Sequence, residues 1–213
     1  MPTKTTVNPI SAEAGILPRR IVLASTSRYR KTLLERLGIP FVTMAPGTDE
    51  TALAGETPAA TAWRLAEAKA RSVANMYPEA LIIGSDQVAD CGGTPIGKPG
   101  NHESAVAQLT KLSGQTVIFR TGLTLLDATT GQCQTALVDV RSTFRFLSAA
   151  EIEAYLRREQ PYDCAGSVRS EALGIVLFES IESDDPTALV GLPLIRLASM
   201  LRAAGVPLLT LPA

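Results

Sequence analysis

Histidine is almost missing from this chain of 213 residues: His102 is the single one. A Ser-His-Asp triad or a His-based metal cluster would have to rest on it alone. It stands in a polar Gly-Asn-His-Glu stretch and reads as a solvated residue at a helix start. Cysteine is scarce as well. Cys91, Cys133 and Cys164 are odd in number, far apart and form no C-x-x-C pair. That argues against a disulfide framework and against structural zinc, and fits reduced thiols. Neither sign of charge is in excess, with 20 Lys and Arg against 21 Asp and Glu. A general nucleic-acid or membrane-surface binder would normally show a basic surplus. The longest apolar stretch, ALVGLPLIRLASML, is broken by Pro193 and Arg196 and is too interrupted to span a bilayer. Residues 1–18 have no long apolar core and no clear cleavage pattern, so a flexible tail is expected there rather than a secretory signal.

What the chain does have is aliphatic bulk. Apolar residues make up 46 % and aromatics only 5 %, so the core is expected to be aliphatic. The length suits one domain, read here as residues 19–213. Buried strands are expected at 21–24, 41–44 and 81–83, the last leading into Gly84-Ser85-Asp86-Gln87. A strand pair is expected at 116–126 and 134–144, joined through Thr130-Gly131, and a last strand at 175–178. Helices are expected at 30–37, from Thr57-Pro58 to about residue 77, and from Asn101 to about residue 113. Another begins at the Ser148-Ala149-Ala150-Glu151 capping box, and a final one begins at Pro193. Alternating strands and helices with a central hairpin indicate an α/β fold, with a mixed sheet and helices on its faces.

Four segments carry candidate chemistry. In IVLASTSRYRKTLLERLG a buried strand turns through Ser25 and Ser27 into a helix with Arg30 one turn on. Free N–H groups, hydroxyls and a guanidinium at a helix start suit phosphate, although a plain serine cap reads the same way. Asp86 in LIIGSDQVAD stands just past a buried strand, where a carboxylate can bind a cation, activate water or simply cap a turn. Lys98 in PIGKPG sits in a constrained turn and can reach a phosphate as a point charge. Lys69, in AWRLAEAKA, follows Leu65 by one turn on the long helix, which allows a partly buried edge, although a solvated face is the default reading.

Together ASTSRYRKTLLERLGIPF, Asp49-Glu50, RLAEAKA, IIGSDQV, GKP, KLSGQ, CAGS, SEALGI and LVGLPL resemble the Maf family, in the same order. The resemblance covers roughly residues 21–205. It implies a two-lobed Maf/ITPase-like fold, with a long mixed central sheet flanked by helices and a cleft between lobes. It also implies a cytoplasmic, house-cleaning hydrolase that converts nucleoside triphosphates to monophosphate and pyrophosphate with a divalent metal, magnesium or manganese. The partner is then a small-molecule nucleotide, with neither nucleic acid nor membrane, and a homodimer is an option from the family alone.

Residue by residue, the family's catalytic aspartate falls on Asp86 and its phosphate positions on Ser25, Ser27, Arg30, Lys69 and Lys98. Its metal-side acids fall on Glu50 and Asp86. The branch acting on 7-methyl-GTP has an aromatic at the position of Tyr29, with Gln87 and Glu171 completing base specificity. Tryptophan is the more frequent aromatic there. Two other readings stand beside this one. The dTTP/UTP branch usually has arginine, threonine and glutamine at those three positions. A nucleotide-binding regulator of cell division without turnover would not need the set of Asp86, Glu50, Lys69 and Lys98.

Overall fold

The computed structural model describes residues 6–7, 17 and 19–210. The tail expected over residues 1–18 otherwise lies outside the described residues.

Strand order follows from which runs are buried. β2 (Ile21–Ala24) is four apolar residues, all buried, the pattern of a strand covered on both faces. It lies parallel to β3 (Val42–Met44) on one side and to β4 (Leu81–Cys91) on the other. β1 (Thr6–Val7) pairs antiparallel with β3. Beyond β4 the sheet turns antiparallel through β6 (Thr116–Asp127), β7 (Cys133–Phe144) and β8 (Phe178–Glu182), while β5 (Thr94–Ile96) folds back on the end of β4. Among the described residues this is an eight-stranded mixed sheet, ordered β1-β3-β2-β4-β6-β7-β8 with β5 beside β4.

Helices flank it, each started by a signal present in the sequence. Ser27 caps α1 (Arg28–Glu35), and Thr57 with Pro58 starts α2 (Pro58–Ser72). Asn101 caps α3 (His102–Leu112), and a full capping box opens α4 (Ala149–Glu159). Pro193 precedes α5 (Leu194–Ala203). No described helix is long and apolar enough to cross a membrane.

Three expectations are corrected. Asp86 does not stand just past the end of a strand. β4 runs through it in unbroken register with β6, from Leu81↔Asp127 to Asp90↔Ile118. Residues 175–177 are not a strand. Leu173–Leu177 forms a 3-10 turn, and β8 begins only at Phe178, with Ile175 and Val176 about half exposed. The long helix stops at Ser72, and a 3-10 turn over Ala74–Met76 replaces its expected last turn.

Two glycines explain the turn-like composition of β4. Gly84 and Asp86 are two residues apart, and Gly122 on β6 pairs with Asp86, so all three share one sheet face. α2 covers that face at very short range. A Cβ at Gly84 would meet Ala66 O at 2.1 Å, and one at Gly122 would meet Ala62 O at 2.1 Å. Glycine here is a packing requirement set by the stripe of Ala62, Ala66 and Ala70.

The apolar core divides along the long strands. β6 contributes Leu123 and Leu125 to a cluster with β2, α1 and α5. It contributes Val117 and Phe119 to a second cluster with α3, α4 and Leu177. Each fully buried large side chain adds about 1.5–3 kcal/mol of transfer free energy. Between the two clusters lie Thr121 and Gly122, paired with Gln87 and Asp86. The polar level of the sheet is therefore the gap between the cores.

Candidate active site

That gap opens into a cavity of about 790 Å³. Ser25, Ser27, Tyr29, Arg30, Glu50, Lys69, Asp86, Gln87, Lys98 and Glu171 all line it, although they come from across the chain.

The first wall is the end of β2. Pairing with β4 stops at Leu23↔Ile83, so Ser25-Thr26-Ser27 leaves the sheet where β4 continues toward Asp86. Ser25 Oγ accepts from Ser27 N at 3.1 Å, and Ser27 Oγ accepts from Arg30 N at 3.4 Å. Both hydroxyls act as acceptors within the loop, which leaves their protons to donate outward. No acidic residue stands in the first turn of α1 to offset its positive end. Arg30 donates from Nε to Gly191 O at 2.8 Å, which fixes the guanidinium against the loop before α5. Burial pulls its pKa down, while Asp86 and Glu50 push it up.

The second wall is α2. Lys69 is only 4 % exposed, so the solvated-face reading is overturned. The close approach of α2 through Gly84 and Gly122 brings its ammonium over the sheet. There Nζ lies 2.7 Å from Asp86 Oδ1 and 2.6 Å from Glu50 Oε1. Asp86 is 7 % exposed, whereas the Glu50 side chain is half open to solvent. Burial raises the Glu50 pKa, but the Lys69 hydrogen bond and charge, helped by Lys98 and Arg30, outweigh it and hold the carboxyl below its ordinary value. Lys98 is exposed on the rim, and among the described residues it makes no ion pair.

The third wall faces the opposite side of β4. Gln87 Nε2 donates to Ala188 O at 2.7 Å, Leu189 O at 3.1 Å and Thr121 Oγ1 at 3.0 Å. That network fixes the amide and leaves Oε1 as an acceptor. Glu171 is exposed on the cavity edge and has no ion pair among the described residues. Tyr29 is partly buried at the start of α1.

Several neighbours were not visible beforehand. Arg28 reaches across Tyr29, donating to its hydroxyl at 2.7 Å with its guanidinium carbon 4.8 Å from the ring centroid. Arg169 lies 5.8 Å from the same centroid, and Cys164 Sγ is 3.8 Å from the hydroxyl. Adjacency in sequence could have flagged Arg28; nothing local could have flagged Arg169. Burial pushes the Cys164 thiol up to about 11, which favours the protonated thiol over the thiolate. His102 also departs from its reading. It is half-buried between Tyr162 Oη at 3.0 Å and Glu153 Oε2 at 2.9 Å, joining α3 to α4.

Cation binding can be judged from the donor set. Among the described residues no group of three or more His, Cys, Asp and Glu side chains converges as a metal cage. Glu50 and Asp86 do converge, on Lys69. Two carboxylates lining the cavity are hard oxygen donors, the chemistry that suits a divalent cation sharing its shell with water.

The chain is similar to known proteins over most of its length. A protein of Polaromonas sp. named 7-methyl-GTP pyrophosphatase is 57 % identical over 207 residues, covering 95 % of this chain and 94 % of that protein. One of Burkholderia orbicola with the same name is 59 % identical over 194 residues, covering 90 % and 92 %. A third, of Albidiferax ferrireducens, also so named, is 56 % identical over 193 residues, covering 91 % and 97 %. Residues 20–204 match the family described as Maf-like protein, and with relatives this similar over nearly their whole length, the chain belongs to the Maf family.

Proposed function

We propose that this chain is a cytoplasmic nucleoside triphosphate pyrophosphatase that hydrolyses 7-methyl-GTP to 7-methyl-GMP and pyrophosphate, with residues 19–213 working as one two-lobed catalytic domain. The observation that carries this reading is the meeting of Asp86, Glu50 and Lys69 opposite the serine loop and Arg30 in one cleft. The names of the relatives support it.

A triphosphate brings several negative charges. In this reading the α1 N-terminus and the hydroxyls of Ser25 and Ser27 hold its oxygens by hydrogen bonds, and Arg30 and Lys98 hold them by charge. Lys69 keeps the Asp86 carboxylate in one orientation. Asp86 orients a water on the α-phosphorus and takes its proton as the new P–O bond forms. The bond from the α-phosphorus to the bridging oxygen breaks, and its electron pair leaves with pyrophosphate. Glu50 and Asp86 would hold a divalent cation, magnesium or manganese, which when bound supplies charge neutralisation on the phosphates.

For the base, Tyr29 offers a stacking face to the cationic methylated ring. The Glu171 carboxylate and Gln87 Oε1 accept from the N1–H and N2–H₂ donors of guanine. Uracil and thymine present carbonyls to those acceptors and pair poorly with them. The test is kcat/KM for 7-methyl-GTP, GTP, dTTP and UTP, with products separated. Best turnover of 7-methyl-GTP with pyrophosphate released is expected. Preference for UTP or dTTP overturns the base assignment, and release of orthophosphate overturns the bond assignment.

A further inference from the structure

Tyr29 does not present a bare ring. The Arg28 guanidinium lies 4.8 Å from its centroid and donates to its hydroxyl at 2.7 Å, and Arg169 approaches to 5.8 Å. A stacking surface meant for a cationic base is therefore already faced by two cations. They differ in how firmly they are held. Arg169 is mostly buried and ion-paired with Glu159 at 3.3 Å. The Arg28 side chain is 68 % exposed, and its one carboxylate neighbour among the described residues is Asp163 at 3.8 Å. Asp163 is itself 57 % exposed, touches Arg169 at 4.0 Å and accepts from Cys164 Sγ at 3.4 Å.

We propose that Arg28 is a specificity-determining residue that narrows selection of the methylated base: its guanidinium competes for the face of Tyr29, and Asp163 is the acceptor that draws it away. This rests on the proposed 7-methyl-GTP activity. Competition for the ring penalises any purine. The charge of Arg28 adds a penalty only for a base that is itself positive, so it separates 7-methyl-GTP from GTP. An exposed guanidinium held by a surface cation–π contact and one hydrogen bond moves at small cost, which makes it a tuning element rather than a barrier.

The experiment measures kcat/KM for 7-methyl-GTP, GTP, dTTP and UTP in wild type, and for 7-methyl-GTP and GTP in Arg28→Gln, Asp163→Asn and the double variant. Calorimetric binding of 7-methyl-GMP and GMP is measured alongside. Arg28→Gln is expected to raise the 7-methyl-GTP to GTP ratio by about fivefold, the scale of the repulsion between two unit charges a few ångströms apart in water. Asp163→Asn is expected to lower that ratio in the wild-type background and to have no effect once Arg28 is glutamine. Raising salt should lift the wild-type ratio toward that of Arg28→Gln while leaving the variant unmoved, because an exposed charge is screened. Arg28 is exposed, so the variant is expected to melt like wild type, and the comparison is between folded proteins. If wild type prefers 7-methyl-GTP and Arg28→Gln leaves or lowers the ratio, this inference falls alone. If wild type prefers UTP or dTTP, the proposed function falls and takes the inference with it.

Discussion

Lys69 Nζ stands 2.7 Å from Asp86 Oδ1, and both side chains are almost wholly withdrawn from solvent. A buried ammonium and a buried carboxylate are each costly alone and tolerable only together. The pair ties α2 to β4 at the floor of the cleft.

Asp86→Asn keeps the shape of the side chain and removes its charge. Turnover of 7-methyl-GTP should drop by roughly a hundredfold or more, as when a general base or metal ligand is lost. Glu50 remains as the partner of Lys69, so the fold should survive. Pyrophosphate release and a thermal melt on the same sample check both halves. A well-folded variant with near-normal kcat would remove Asp86 from the chemistry.

Lys69→Met keeps the length of the side chain but strands Asp86 without its counter-charge. Breaking one side of a buried pair costs about 3–5 kcal/mol, so urea unfolding should shift by that scale. Combining it with Asp86→Asn should restore part of the loss, because the stranded charge is then gone. Additive losses in the double variant would show that the two groups do not stabilise each other.

Gly122→Ala should act on both stability and activity. Its Cβ would stand 2.1 Å from Ala62 O, and backbone cannot swing aside as a flexible side chain can. Overpacking of this kind costs about 1–3 kcal/mol or more. As α2 moves off the sheet it carries Lys69 away from Asp86, so kcat should fall too. Denaturation midpoint and kcat measured together test this, and unchanged values in both would contradict the close packing of α2.

Acid should destabilise the protein in a defined window. The hydrogen-bonded Arg64 guanidinium holds Glu56 at about 2, and Arg19 holds Asp127 at about 2. Both lie below the values of an unfolded chain, near 4. Groups depressed in the folded state stabilise it fully above the unfolded value and lose that contribution as pH falls toward the folded one. The urea midpoint should therefore hold steady down to about pH 5 and decline from about pH 4.5 to 2. Arg19→Ala and Arg64→Ala should each flatten that decline; an unchanged slope in both would show that these pairs do not drive it.

Much of this molecule is written in local sequence, because its causes are local. Ser27, Thr57, Asn101 and Ser148 each cap the helix they precede, since a cap needs only the next three residues. The all-apolar run at Ile21–Ala24 is a central strand because only a strand covered on both faces needs every side chain apolar. The order of motifs was enough to recognise the family. What the chain alone misstated were places where a distant segment decides. Gly84 ends the apolar run of β4 and so reads as the strand's end, until the Ala62-Ala66-Ala70 stripe of α2 is laid on it and glycine becomes the residue that fits a strand there. Lys69 reads as a solvated helix residue until that same close approach seals it against Asp86 and Glu50. Ile175 and Val176 read as the start of a strand, yet the chain turns at Gly174, where a Cβ would meet Arg169 O at 2.4 Å, and leaves them outside. The sequence by itself determined the helix starts, the buried strands and which residues carry charge. Only the tertiary structure decided which charges lose water and which find each other, because both depend on contacts between segments tens of residues apart, where no periodicity reaches.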